Sequence, residues 1–120
     1  MKPERGRSPE PFLWLLFSSG GMLAALTLPA LAWRLWLAPG LGFAEPLSFD
    51  RASALVAHPL TRVGLAVAIA LALFHWAHRF RFTLYDGLQL SHLWGLVATV
   101  CYGGAAIGAA AAAWVLVALP

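Results

Sequence analysis

Polar positions are rare along this chain and fall in clusters, and the stretches between them set its architecture. From Pro11 to Trp33, from Val63 to His78 and from Gly87 to Pro120 there is no Asp, Glu, Lys or Arg. Roughly 20 apolar residues at about 1.5 Å each cross the bilayer's hydrocarbon, about 30 Å thick. Three such stretches predict an all-α membrane protein with three transmembrane helices, at about 12–36, 60–80 and 93–119. The connections are a Pro- and Gly-containing stretch at 38–59 and a polar turn, RFRFTLYDGLQLSH, at 79–92. Within the first connection, Ser48 followed by FDRASALVAH predicts a short interfacial helix over 48–58, with Ser48 as cap and Asp50 favouring the helix N-terminus.

Composition strengthens this reading: 61% of the 120 residues are hydrophobic and 11% charged, which leaves too little polar surface for a water-soluble domain. No second domain fits, and the whole chain is one membrane-embedded unit. Lys2, Arg5 and Arg7 ahead of an apolar run that ends in Ala-Leu-Ala at 30–32 also have the shape of a secretory signal. The run is longer than a signal core and continues as WRLWLAPGLGF, which favours a retained span. Cys101 is the single cysteine and lies inside the third span, where it is read as packing.

Charge then sets sidedness. With three spans, Lys2, Arg5, Arg7, Arg79 and Arg81 share one side, and Arg34, Arg51 and Arg62 the other. The positive-inside rule places the N-terminus in the cytoplasm and the C-terminus outside, in the periplasm. In this topology Trp14 at the head of the first span and His78 with Arg79 at the foot of the second share one membrane depth. Trp14, Phe17 and Gly21 fall along one face of the first helix; His75, Arg79 and Phe82 lie near one face of the second, with His78 one turn from His75. Each has a plain role taken singly: an interfacial aromatic, a lipid-phosphate contact, a polar group satisfied by a carbonyl. Together, an indole donor, an imidazole and a guanidinium at one depth suit a flat ligand with two carbonyl oxygens that arrives from the lipid, which describes a quinone.

Other chemistries fit less well. Within the spans His occurs only on the second, at 75 and 78, so no haem is expected on this chain, and no metal site or catalytic residue set is present in the pattern. No nucleic-acid partner is expected. Gly104, Gly108 and Ala112 form a small-residue stripe for close helix packing, and Ser18, Ser19, Gly20 and Gly21 leave space after Trp14 for a quinone head group or a neighbouring subunit.

The residues also resemble a known family. EPFLWLLFSSGGM, LSFDRASAL and HRFRFTLYDGL, in this order and spacing, are similar to the N-terminal, first-connection and His-Arg segments of the D subunit of the membrane-bound fumarate reductases. The resemblance implies a non-catalytic anchor in the cell (inner) membrane, one of two membrane anchor subunits, with an iron-sulfur subunit and a flavoprotein subunit as partners that carry the iron-sulfur clusters and FAD. It implies oxidation of menaquinone's reduced form at a shared site near the cytoplasmic interface, in anaerobic fumarate respiration. Carried over residue by residue, Trp14 would donate to a quinone oxygen, Arg79 would stabilise a reduced oxygen, His78 would be a hydrogen-bonding wall and Phe17 a ring contact. The chain departs from the pattern after His-Arg, where Phe80, Arg81, Phe82 and Tyr85 stand in place of histidines, so a proton route through histidines is not carried over. The proton-accepting acid would then come from the other anchor. A succinate dehydrogenase anchor would share the size and span count, and a non-redox helix-packing accessory or a regulator that binds membrane lipid would share the Gly/Ala stripe and the basic ends.

Overall fold

A computed structural model describes residues 10–120; Lys2, Arg5 and Arg7, which enter the charge count above, lie outside them. Every described secondary-structure element is helical, and three helical stretches, Pro11–Gly40, Pro59–Gly87 and Leu90–Ala118, are long and apolar enough to cross a membrane. Helix is the form such stretches take because in lipid every backbone N–H and C=O must be satisfied within the segment.

The first helix, α1, runs Glu10–Ala32 with Pro29 inside it. It continues through a π-helical segment, Trp33–Leu37, closed by the Ala38 N–H bonding to the Trp33 carbonyl, and through Ala38–Gly40. The Ala-Leu-Ala at 30–32 thus lies inside an unbroken helical rod. Helix α2 is Phe49–Ala57, and Ser48 caps it by accepting from the Arg51 N–H at 3.4 Å. Helix α3, Pro59–Gly87, starts on a second cap: Nδ1 of His58 accepts from the Leu60 N–H at 3.2 Å, with Pro59 in the first turn where its missing N–H costs nothing. After a left-handed Gln89 and a short 3-10 turn, Leu90–Leu93, the last helix α4 covers Trp94–Ala118.

The second span corrects the sequence expectation most. Its helix does not stop near Phe80; the stretch read as a polar turn is helical through Gly87. Charge ends a membrane span without ending a helix, and nothing between Arg79 and Asp86 is Pro or Gly. The extension is also anchored: Leu84 and Tyr85 pack on the core, and the Tyr85 hydroxyl donates to the Trp94 carbonyl at 2.9 Å. At 29 residues, α3 is about 43 Å long at about 1.5 Å per residue, longer than the hydrocarbon.

Helix α3 is the common neighbour of α1 and α4, which pack on either side of it. Between α3 and α4 sits a small core of Ala77, fully buried, with Val97, Cys101 and Ala105. Cys101 is a buried free thiol there. Packing on α4 therefore follows Val97, Cys101, Ala105 and Gly108, whose missing Cβ would touch Leu73 at 3.1 Å, while Gly104 of the expected stripe is exposed with open space around it. Between α1 and α3 the contact is closer still. A Cβ on Gly20 would overlap the Leu71 carbonyl, and one on Gly21 would meet the His75 ring. At Gly20 and Gly21 the gap after Trp14 in the apolar pattern is filled by α3 of the same chain. Lipid tails are as apolar as leucine, so small residues that let backbones meet are what hold such helices together.

Candidate functional site

The close approach at Gly20 and Gly21 brings the first half of α1 against the middle of α3 and builds an aromatic cluster there. His75 stacks on Phe17, ring centroids 4.4 Å apart at 18°, and its Nδ1 lies 2.9 Å from the Phe17 carbonyl. A carbonyl only accepts, so Nδ1 of His75 carries the hydrogen, and the ring is fixed between Gly21 and Phe17. His78, one turn on, contacts Phe17 at 4.6 Å and Trp14 edge-on at 6.2 Å. Its Nδ1 shares a hydrogen bond of 2.7 Å with the hydroxyl of Tyr102 on α4. Trp14 itself meets Phe17 edge-to-face at 5.7 Å and is 60% exposed.

Beside this cluster opens a cleft of about 440 Å³ lined by Leu13, Trp14, Phe17, Phe74, His78, Arg81 and Tyr102. That volume falls in the roughly 300–1,000 Å³ range of small-molecule sites. All three long helices contribute to it. Aromatic faces form its walls, and its polar groups are an indole, an imidazole paired with a phenol, and a guanidinium. The Arg81 guanidinium lies over the Phe82 ring at 4.6 Å and the Tyr102 ring at 5.3 Å. Its Nε is buried with no hydrogen-bond partner among the described residues. A buried donor without a partner costs free energy of about 1–3 kcal/mol, which a ligand oxygen would offset.

Of the four residues singled out by sequence, the structure brings together Trp14, Phe17 and His78. Arg79 is exposed and does not line the cleft; its carbonyl accepts from the Thr83 hydroxyl at 3.3 Å. One residue turns a helix by about 100°, and the step from His78 to Arg79 is enough to leave the cleft face. Phe74, His78, Arg81 and Tyr85 recur at i, i+4, i+7 and i+11, the stripe that would have pointed to Arg81. Tyr102 carried a weaker signal, as the one phenol in an Ala- and Gly-rich span. No group of three or more His, Cys, Asp or Glu side chains able to hold a metal ion occurs among the described residues.

Comparison with known proteins places the chain. The family model for the fumarate reductase D subunit matches residues 4–117. The chain belongs to the fumarate reductase D-subunit family. The D subunit of fumarate reductase from Mycobacterium tuberculosis (strain ATCC 25618 / H37Rv) is 48% identical over 93% of this chain and 90% of the relative, and that of Mycobacterium bovis (strain BCG / Pasteur 1173P2) matches equally. The corresponding protein of Shewanella sp. (strain W3-18-1) is 33% identical over 92% of each chain. Family and helices together make it a multi-pass membrane protein and a membrane anchor subunit of fumarate reductase, which works in a complex with other subunits.

Proposed function

We propose that this anchor contributes one wall of the quinol oxidation site of its complex and tethers the flavoprotein and iron-sulfur subunits to the cell inner membrane beside a second anchor. The observation that carries the reading is the cleft at one end of the bundle, where Trp14, the His78–Tyr102 pair and the unpartnered Nε of Arg81 converge on an aromatic slot. The positive-inside rule makes that end cytoplasmic, the side where soluble subunits would receive electrons.

A menaquinol bound there would supply two electrons and two protons to the complex. The chain's own part is to hold and orient it. Phe17 and Phe74 face the ring, Trp14 donates from its indole N–H, and Arg81 donates from a fixed fork and favours negative charge on the oxygen it meets. His78, held by Tyr102, presents its other nitrogen and can exchange a proton there. Arg79, exposed one residue further round, enters the site only where a partner subunit completes it. Among the described residues no carboxylate lines the cleft, so the final proton acceptor belongs to a partner.

The test is Trp14→Phe in the purified complex, which keeps the aromatic and removes the donor. One hydrogen bond of about 0.5–1.5 kcal/mol predicts a roughly 2- to 12-fold drop in kcat/KM for menaquinol. Fumarate reduction driven by a soluble viologen dye should be unchanged, which separates loss of the quinol contact from damage to the fumarate-reducing subunits. Unaltered menaquinol kinetics would overturn the assignment.

A further inference from the structure

The opposite end of the bundle carries a second constellation that the quinol reading does not use. An apolar groove of about 530 Å³ runs between α1 and α3, walled by Leu28, Leu31 and Ile69 over a floor that includes Ala24, Ala68 and Ala72. It ends at Arg34. Arg34 also forms the rim of an adjoining hollow of about 490 Å³, lined by Arg51 and Leu55 of α2, by His58, and by Thr61 of α3. An apolar trench and a basic cup thus share one arginine.

Depth fixes what such a shape suits. Trp14 and Arg34 are 20 residues apart on one continuous helical rod, about 30 Å at about 1.5 Å per residue, one hydrocarbon thickness. With Trp14 at one interface, Arg34 stands at the other. From Ala24 to Arg34 the groove follows 10 residues, about 15 Å, the depth of one leaflet. The cup's donors face the height of a phosphodiester. Arg34 spends one N–H on the Glu45 carbonyl at 3.3 Å and retains four others. His58 accepts at Nδ1 from the Leu60 N–H, which fixes its hydrogen on Nε2 and makes that nitrogen a donor. Among the described residues no carboxylate lines the cup: Asp50 borders a separate hollow beside Leu119. Arg62, close in sequence, is spent elsewhere, on the main-chain oxygens of Val56, Leu119 and Pro120.

We propose that groove and cup form a site for one anionic phospholipid of the outer leaflet, an acyl chain between α1 and α3 and the phosphate between Arg34, Arg51 and His58. Charge complementarity selects an anionic over a zwitterionic headgroup, and the groove selects a lipid over a free anion. The site lies a hydrocarbon thickness from the quinol cleft and does not depend on it.

The experiment uses the intact purified complex, stripped with detergent and incubated with dioleoylphosphatidylglycerol or dioleoylphosphatidylcholine, read by native mass spectrometry. The complex should take up one more equivalent of phosphatidylglycerol than the Arg34→Gln/Arg51→Gln double variant. At about fivefold per surface arginine, that variant should bind this equivalent roughly 25-fold more weakly. Leu31→Trp, which fills the groove and leaves the cup, should lose the same equivalent, and the intact mass in each spectrum reports assembly. Equal uptake by the double variant would overturn the proposal, as would equal uptake of the two lipids. Displacement by millimolar inorganic phosphate would reduce the site to an anion cup and overturn it as well. So would a photoreactive side chain at position 31 that crosslinks to a polypeptide, because a partner subunit would then fill the groove.

Discussion

Gly20→Ala adds a single methyl group at the tightest point of the bundle, and its effect follows from two opposing quantities. In an unobstructed helix the change from Gly to Ala stabilises by about 0.8–1 kcal/mol. At Gly20 the new Cβ would sit 2.7 Å from the Leu71 carbonyl carbon, closer still to its oxygen, and 3.0 Å from Cβ of His75. Two of these atoms are backbone and cannot rotate away, so α1 must move off α3. Overpacking of this kind costs about 1–3 kcal/mol. The clash wins or draws, and relief of it separates Phe17 from His75 and His78. Gly64→Ala is the matched control, since a Cβ there meets nothing within 4 Å and only the propensity gain remains. Measured as detergent-unfolding free energy of the purified complex, Gly20→Ala should fall below Gly64→Ala by about 1–3 kcal/mol, with a weakened affinity for menaquinol. Equal stabilities would refute the close backbone approach on which the cleft is built.

Three further outcomes follow. Arg81→Leu should lower menaquinol kcat/KM by about tenfold or more, as expected for loss of a charged hydrogen bond of about 1.5–3 kcal/mol, whereas Arg79→Leu should change it less; the reverse order would show that Arg79 is the guanidinium in the site. Tyr102→Phe removes the partner of Nδ1 of His78 and should cost about 0.5–1.5 kcal/mol in the same unfolding assay, with retained assembly. Arg62→Gln should raise amide hydrogen exchange in the last turns of α2 and α4 and leave exchange around Phe17 unchanged, because its three acceptors all lie at the far end of the bundle.

What could be read from the sequence, and what could not, divides along a physical line. Span number follows from uncharged runs and bilayer thickness, both one-dimensional quantities. The meeting of Trp14 and His78 follows from span number and direction, and their 6.2 Å separation agrees. The end of α3 did not follow, because the pattern marks where a helix leaves lipid and not where it stops. Arg79 and Arg81 share one depth, which is legible from charge, and the resemblance names Arg79; which of the two faces the cleft is a matter of azimuth and needs a register against a second helix. Tyr102 needed that register twice, since its partnership with His78 depends on how α4 slides along α3. Gly20 and Gly21 announced a close approach without naming what approaches; the answer, Leu71 and His75, is encoded some 50 residues away.

The two ends of the bundle are finished differently, and this difference explains how a chain with so little core keeps an open cleft. Only six hydrophobic side chains among the described residues are buried, so no large core fixes the helices. At the far end Arg62 ties α2 to the residues after α4, and Arg34 holds the loop at Glu45 with one of its N–H groups. Between the ends Gly20 meets the Leu71 carbonyl, and beside the cleft Cys101 and Ala105 pack on Ala77, which sets the helix spacing. At the cleft end no such tie reaches the chain's end: His75 spends Nδ1 on Phe17 and His78 spends Nδ1 on Tyr102, each keeping one nitrogen, Trp14 is exposed and Arg81 has an unmatched donor. Helices held at one end and along their middle can carry unsatisfied polar groups at the other without collapsing onto them. Polar groups left open in that way are costly in lipid and are the mark of a site that something else completes.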